Sequence, residues 1–201
     1  MSGMRFEDLL ERLREFDLVL DTDPKFPSIA GFVMGESPRG TWWAHPQGKE
    51  VYRLACLLRS HPDVLLVKLV SGKITLVNRP LWPAVFAIGT AREAWQTKDL
   101  SKEAKALLKE VEKDAAVEAS GDPARELEAR LLVYSESVHT ERGMHKKHLS
   151  SWTDWAGRVK LPRVDLTVEE GKAQIERVVA RLNKQFGANG TLPWTKRARR
   201  A

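Results

Sequence analysis

The 201 residues contain a single cysteine, Cys56, so no disulfide can form within the chain. Such sparing use of cysteine fits a reducing compartment. No apolar run approaches the roughly 20 residues that a membrane span requires. The opening Met1-Ser2-Gly3-Met4-Arg5-Phe6 has no apolar leader segment. A cytoplasmic protein without membrane contact is the expectation. There is no Gly-x-x-x-x-Gly-Lys-Ser/Thr phosphate loop, and no internal repeat is evident. Neither a metal nor a cofactor is expected.

What is present is positive charge, unevenly spread. The net charge is +6, which raises nucleic acid as a partner. The tail Lys196-Arg197-Ala198-Arg199-Arg200 holds four cations and no acid. Between Arg39 and Arg92 there are eight Lys/Arg and two acids, Glu50 and Asp63, which gives +6. From Ser101 to Lys160, eleven basic and eleven acidic residues cancel. Inside the basic stretch lies Gly40-Thr41-Trp42-Trp43-Ala44-His45-Pro46, two adjacent large rings in a loop context.

Hydrophobic spacing sets the expected elements. Phe6, Leu9, Leu10, Leu13 and Phe16 predict an amphipathic helix from Arg5 to about Leu20, ended by Pro24 and Pro27. Ser28 to Gly35 is apolar and fits helix or strand. Pro46 opens a helix with Val51, Leu54, Ala55 and Leu58 on one face. Val64–Val70 and Ile74–Val77 form a hairpin around Ser71-Gly72. A helix from Leu81 carries Val85, Ile88 and Trp95. Ser101 caps another, and Asp122-Pro123 begins the next. Val133 to Thr140 reads as a strand. Gly143 to Ala156 reads as a helix with Met144, His148, Trp152 and Trp155 on one stripe. Thr167-Val168-Glu169-Glu170 is a capping box for a helix that stops at Gly187. The fold class expected is α+β, predominantly helical, with a β-hairpin packed between helices and a winged-helix-like second half. The divisions are 1–97, 98–160, a C-terminal helix at 161–194 packing on the core, and a basic mobile tail at 195–201.

For nucleic acid, Arg39, Lys49, Lys68, Lys73 and Arg79 offer cations for phosphates, and Trp42 and Trp43 offer stacking faces for bases. The alternative is that one ring is core and the charges form a solvated face. His45 precedes Pro46 and either caps the helix or serves as a general base. His139, Glu141, His145 and His148 contain a conceivable acid–base pair, His139 with Glu141, and a conceivable metal set. A buried, hydrogen-bonded His148 accounts for that cluster without metal. Cys56 is expected to be an inert thiol within a helix.

Several of these motifs together resemble bacterial proteins related to the AlkZ-type winged-helix DNA glycosylases. They are Gly40-Thr41-Trp42-Trp43-Ala44-His45, the Lys68…Lys73 hairpin, Arg79-Pro80-Leu81-Trp82-Pro83, Ala94-Trp95-Gln96, Glu128-Ala129-Arg130-Leu131-Leu132-Val133 and His139-Thr140-Glu141-Arg142-Gly143-Met144-His145 with Trp152 and Trp155. The resemblance spans about Pro27 to Ala156 and implies a winged-helix-like portion near 100–140. The family's Gln-x-Gln or Gln-x-Asp motif is absent, since Gln47, Gln96, Gln174 and Gln185 all lack that successor. A DNA-associated protein without glycosylase chemistry is therefore expected. The alternatives are an enzyme for a nucleobase-like or other flat substrate in a pocket by Trp42, Trp43 and His45, and a structural protein-interaction module.

Overall fold

Residues 4–35, 42–139 and 145–195 are described by the computed structural model. Helix α1 (Phe6–Phe16) buries Leu9, Leu10, Leu13 and Phe16, as their spacing requires. It stops before Leu20, because Asp17 takes a left-handed conformation (φ 65°) and its N–H closes onto the Leu13 carbonyl. Leu18–Leu20 then form strand β1 rather than more helix. Their apolar side chains satisfy either period; antiparallel pairing with Val77, Leu76 and Thr75 decides it. The ambiguous stretch becomes α2 (Ile29–Met34), capped by Ser28, whose Oγ accepts from the Gly31 N–H at 3.2 Å.

A short 3-10 turn at Trp42–Ala44 leads into α3 (Gly48–Arg59), which buries Val51, Leu54, Ala55 and Leu58. Gly48 is required there, since a Cβ would stand 2.8 Å from the Trp42 carbonyl oxygen. Strands β2 (Val64–Lys68) and β3 (Ile74–Asn78) pair in register from Val64↔Asn78 to Lys68↔Ile74. Their connection is longer than the two-residue turn expected. It runs from Leu69 to Lys73, with Ser71 and Gly72 at positive φ. Thr75 Oγ1 accepts from the Val70 N–H across it.

Helix α4 (Trp82–Thr90) anchors on the sheet through Trp82, whose indole N–H donates to the Val77 carbonyl at 3.1 Å. Trp95 does not continue this helix. Arg92 at φ 55° breaks the chain, and Trp95 belongs to the short α5 (Ala94–Thr97). Helix α6 (Lys102–Val111) starts at its Ser101 cap as expected. An unforeseen strand, β4 (Val117–Ala119), follows. Helix α7 (Gly121–Ala129) has Ser120 at its N-cap, so Asp122 and Pro123 lie within its first turn.

Strand β5 (Tyr134–His139) pairs with β6 (His145–Ser150), and β4 pairs with the other edge of β6. The helix expected over Gly143–Ala156 is thus corrected: from His145 to Ser150 it is strand. Only Trp152–Arg158, helix α8, is helical, beginning at the Ser151 cap. The 144/148/152 spacing is accidental, because His148 and Trp152 lie on opposite sides of a strand–helix junction. Helix α9 (Val168–Phe186) has the expected capping box and left-handed Gly187 stop, and packs on α4, with Gly171 against Ala84.

The fold is predominantly helical α+β, with two three-stranded antiparallel sheets ordered β1-β3-β2 and β4-β6-β5. In each, a lone strand and a later hairpin combine so that the hairpin's second strand is central. The first sheet grows from the succession helix, strand, two helices, hairpin; the second from helix, strand, one helix, hairpin. The large core joins the first sheet to α4, α8 and α9 and takes in Leu131, Trp152 and Trp155 from the second half. A smaller core under the second sheet gathers Leu100, Ala104, Val111, Leu127, Leu132 and Leu149. No helix among the described residues is long and apolar enough to cross a membrane.

Candidate functional site

The two tryptophans of the loop stack on each other, with ring centroids 4.0 Å apart and planes at 23°. They do not fill the core as a pair. Trp42 is half-buried against the core, whereas Trp43 is 62% exposed. Tyr52, 45% exposed on α3, lies 5.4 Å from Trp43. The Tyr52 hydroxyl is pushed above its ordinary value by its hydrogen bond with the Cys56 side chain, one turn further along. Lys49 and Arg53 are exposed on the same helix. Lys49, Tyr52, Arg53 and Cys56 follow at three- and four-residue steps, so they share the outward face of α3. His45 Nδ1 accepts from the Gln47 N–H at 3.2 Å, which makes it a local support for the entry to α3.

The expected cations are largely engaged. Lys73 pairs with Asp23 at 2.8 Å, Arg79 with Asp63 at 2.8 Å, and Lys68 with Glu128 at 2.9 Å. Arg53 pairs with Glu50, Arg59 with Asp21, and Arg92 with Glu112. Four of these acids, Asp21, Asp23, Glu112 and Glu128, lie outside the 39–92 stretch, so folding offsets much of a field that local counting leaves at +6. Burial pushes the Asp23 carboxyl up, but hydrogen bonds from Lys73 and two backbone N–H groups outweigh it and hold it below the usual range. Lys49 remains exposed in the first turn of α3. Arg39 lies outside the described residues.

The polar centre that sequence reasoning missed is Glu128. Its carboxylate, 6% exposed, accepts both contacts of the Lys147 ammonium at 2.6 Å, the Lys68 ammonium at 2.9 Å, and the Ser135 hydroxyl. These groups come from α7, β6, β2 and β5, so the cluster bridges the two sheets. Burial alone raises the Glu128 pKa; the bonds from Lys147, Ser135 and Lys68 more than reverse this and hold it ionised below the ordinary glutamate value of 4.5. Both lysines donate to this carboxylate, so neither is arranged as a base for Ser135. The only signal in the sequence was Glu128 amid apolar residues near the end of a helix. Its partners are remote in the chain.

This cluster borders a cavity of about 540 Å³ between the sheets, also lined by Cys56, Arg59, Leu66, Ile74, Val133 and Tyr134. Burial pushes the Tyr134 hydroxyl up to about 12. None of Trp42, Trp43 and His45 lines this cavity, which lies beside the C-terminal half of α3. His148 is exposed on β6, correcting the expectation of a buried histidine. The His139 side chain and all of Glu141 lie outside the described residues. Among the described residues, no group of three or more His, Cys, Asp or Glu is placed to hold a metal. Comparison with family models, with curated proteins and with solved structures gives no match, so the resemblance to the AlkZ-related group rests on the sequence motifs alone.

Proposed function

We propose that this chain is a DNA-associated protein that makes contact through α3 and the Trp43 ring at its entrance. One observation carries the reading: the second of two helices, directly before a hairpin, exposes Lys49, Tyr52 and Arg53 beside a 62% exposed tryptophan. In helix-turn-helix readers the second helix carries the groove-facing residues near its N-terminus. The connection between α2 and α3 is longer than the three- or four-residue turn of a plain helix-turn-helix, which leaves room for the tryptophans. Trp43 offers a face for an unpaired base. Lys49 and Arg53 offer phosphate contacts, and an exposed pair such as Arg53–Glu50 is weak enough for a phosphate to replace. Lys68 supports the sheet junction in this reading, and Lys73 and Arg79 are secondary contacts.

Fluorescence anisotropy with labelled single-stranded and duplex 20-mers at about 50 mM salt tests the proposal. Binding to both, tighter to the single strand and weakened by Trp43→Ala and by Lys49→Ala with Arg53→Ala, is the expected result. Absence of binding at that salt, or binding indifferent to all three substitutions, overturns it. A stable dimer in light scattering without DNA binding would assign the exposed Trp43, Tyr52 and Leu57 surface to protein contact instead.

A further inference from the structure

We infer that the cavity between the two sheets is a binding site for a small amphipathic carboxylate, with its anionic end on Lys68 and Lys147 and its apolar body against Leu66, Ile74 and Val133. This inference is independent of DNA binding. A cavity of about 540 Å³ falls in the size range of small-molecule sites. Its chemistry is divided. Glu128 with its two lysines forms one wall, aliphatic side chains with the Tyr134 ring form another part, and Arg59, Ser60 and Glu136 add polar groups.

The charge of that wall selects the ligand. One carboxylate faces two ammonium groups, so the cluster carries a net single positive charge. Lys147 directs contacts to both Glu128 oxygens and Lys68 to one. An ammonium has three donors, so donors remain on both lysines, which are 28% and 25% exposed. A monoanion balances the Glu128 cluster itself, while Glu136 offsets that charge for the lining as a whole. A dianion would leave an uncompensated charge next to Glu128, which is costly in a partly desolvated site. A cation would meet two ammonium groups at that wall and find a partner only in Glu136, which stands exposed on β5. Arg59 also lines the cavity, but Asp21 holds it. Glu136, on the lining, is exposed on β5 and repels an anion, so the carboxylate end is directed to the lysines.

The test uses matched pairs on the full chain by isothermal titration calorimetry at pH 7.5: octanoate against octanol, and indole-3-acetate against tryptophol, with octylamine as the cationic control. At least one carboxylate is expected to bind about tenfold more tightly than its alcohol, as a charge-assisted contact implies, and octylamine is expected not to bind. Lys68→Met should reduce carboxylate affinity about tenfold by the same reasoning. Because Lys68→Met also disturbs Glu128, Ile74→Trp supplies a second arm. Ile74 is 42% exposed on the lining and lies opposite Lys68 across the strands, and a larger ring there fills the space without removing any member of the charged cluster. It should abolish binding with the melting temperature unchanged. The inference is overturned if neither carboxylate binds, if the alcohols bind as well as the acids, or if Ile74→Trp binds undiminished.

Discussion

The two sheets share one strand order and almost nothing else. In the first, the central strand places Leu76 between Val19 and Leu66, and β1 is buried along its whole length. In the second, the central strand places Leu149 between Val117 and Ser135, and His148 and Glu136 stand exposed beside it. The first sheet is held by apolar contact with helices on the large core. The second is held by a small core and by the Glu128 cluster, which ties it to the first. Topology therefore repeats where composition does not, which is why no internal repeat is visible in the sequence.

Truncation at equivalent places should separate the two. Leu76 and Leu149 are both fully buried. Leu76→Ala should cost about 4 kcal/mol and Leu149→Ala about 2–3 kcal/mol, the first lying in the larger and less yielding core. Urea unfolding followed by tryptophan fluorescence measures both. Equal losses, or a reversed order, break the claim that the first sheet is the anchor.

The link between the sheets comes next. Glu128→Gln leaves two lysines without their anion and should destabilise the fold by about 3 kcal/mol, the lower end for opening a buried ion pair. Adding Lys68→Met should recover part of that loss, and a strictly additive double mutant would show that the two are not coupled. The acid limb carries the same sign. The folded-state pKa of Glu128 lies below its unfolded value, so its contribution is fully present above about pH 4.5. It is lost as pH falls through the lowered value. Glu128→Gln should flatten that part of the stability profile.

On the alkaline side the effect is smaller and of opposite sense. Tyr134 is raised from 10.0 to about 12 by burial, so its contribution is intact below pH 10 and is lost as pH rises toward 12. Tyr134→Phe should reduce the steepness of the alkaline decline in melting temperature. An unchanged slope would mean that Tyr134 ionises as freely in the fold as outside it.

Most of the helices are legible because each needs only local information. The stripe of α1, the Ser101 cap, and the Thr167–Glu170 box with Gly187 are all within one or two turns. The β2–β3 hairpin is legible for the same reason. Strands β1 and β4 are three residues each, too short to show a period, and exist through partners far along the chain. His145–Ser150 has little apolar alternation, and pairing with β4 and β5 on both edges makes it a strand. Charge misled in the same way. The acids that pair with Arg59, Lys68, Lys73 and Arg92 are distant in sequence and adjacent in space. Among the expected site residues, Trp43 and Lys49 are exposed, whereas Lys68 pairs with Glu128 at the junction.

Trp43 gives the smallest expected effect on stability and the sharpest test of what the first half does that the second does not. Its ring is 62% exposed and stacks on Trp42, so Trp43→Ala removes one aromatic stack and no core packing. A loss of about 1 kcal/mol is expected in urea unfolding, the size of one exposed aromatic stack. Single-stranded DNA affinity should nevertheless fall roughly tenfold, the lower part of the range for one stacked base. A substitution that costs binding with so small a loss of stability marks a surface kept exposed for contact. One that costs stability without binding returns Trp43 to the fold as a lid over Trp42, and the DNA reading of α3 then has only Lys49 and Arg53 to stand on.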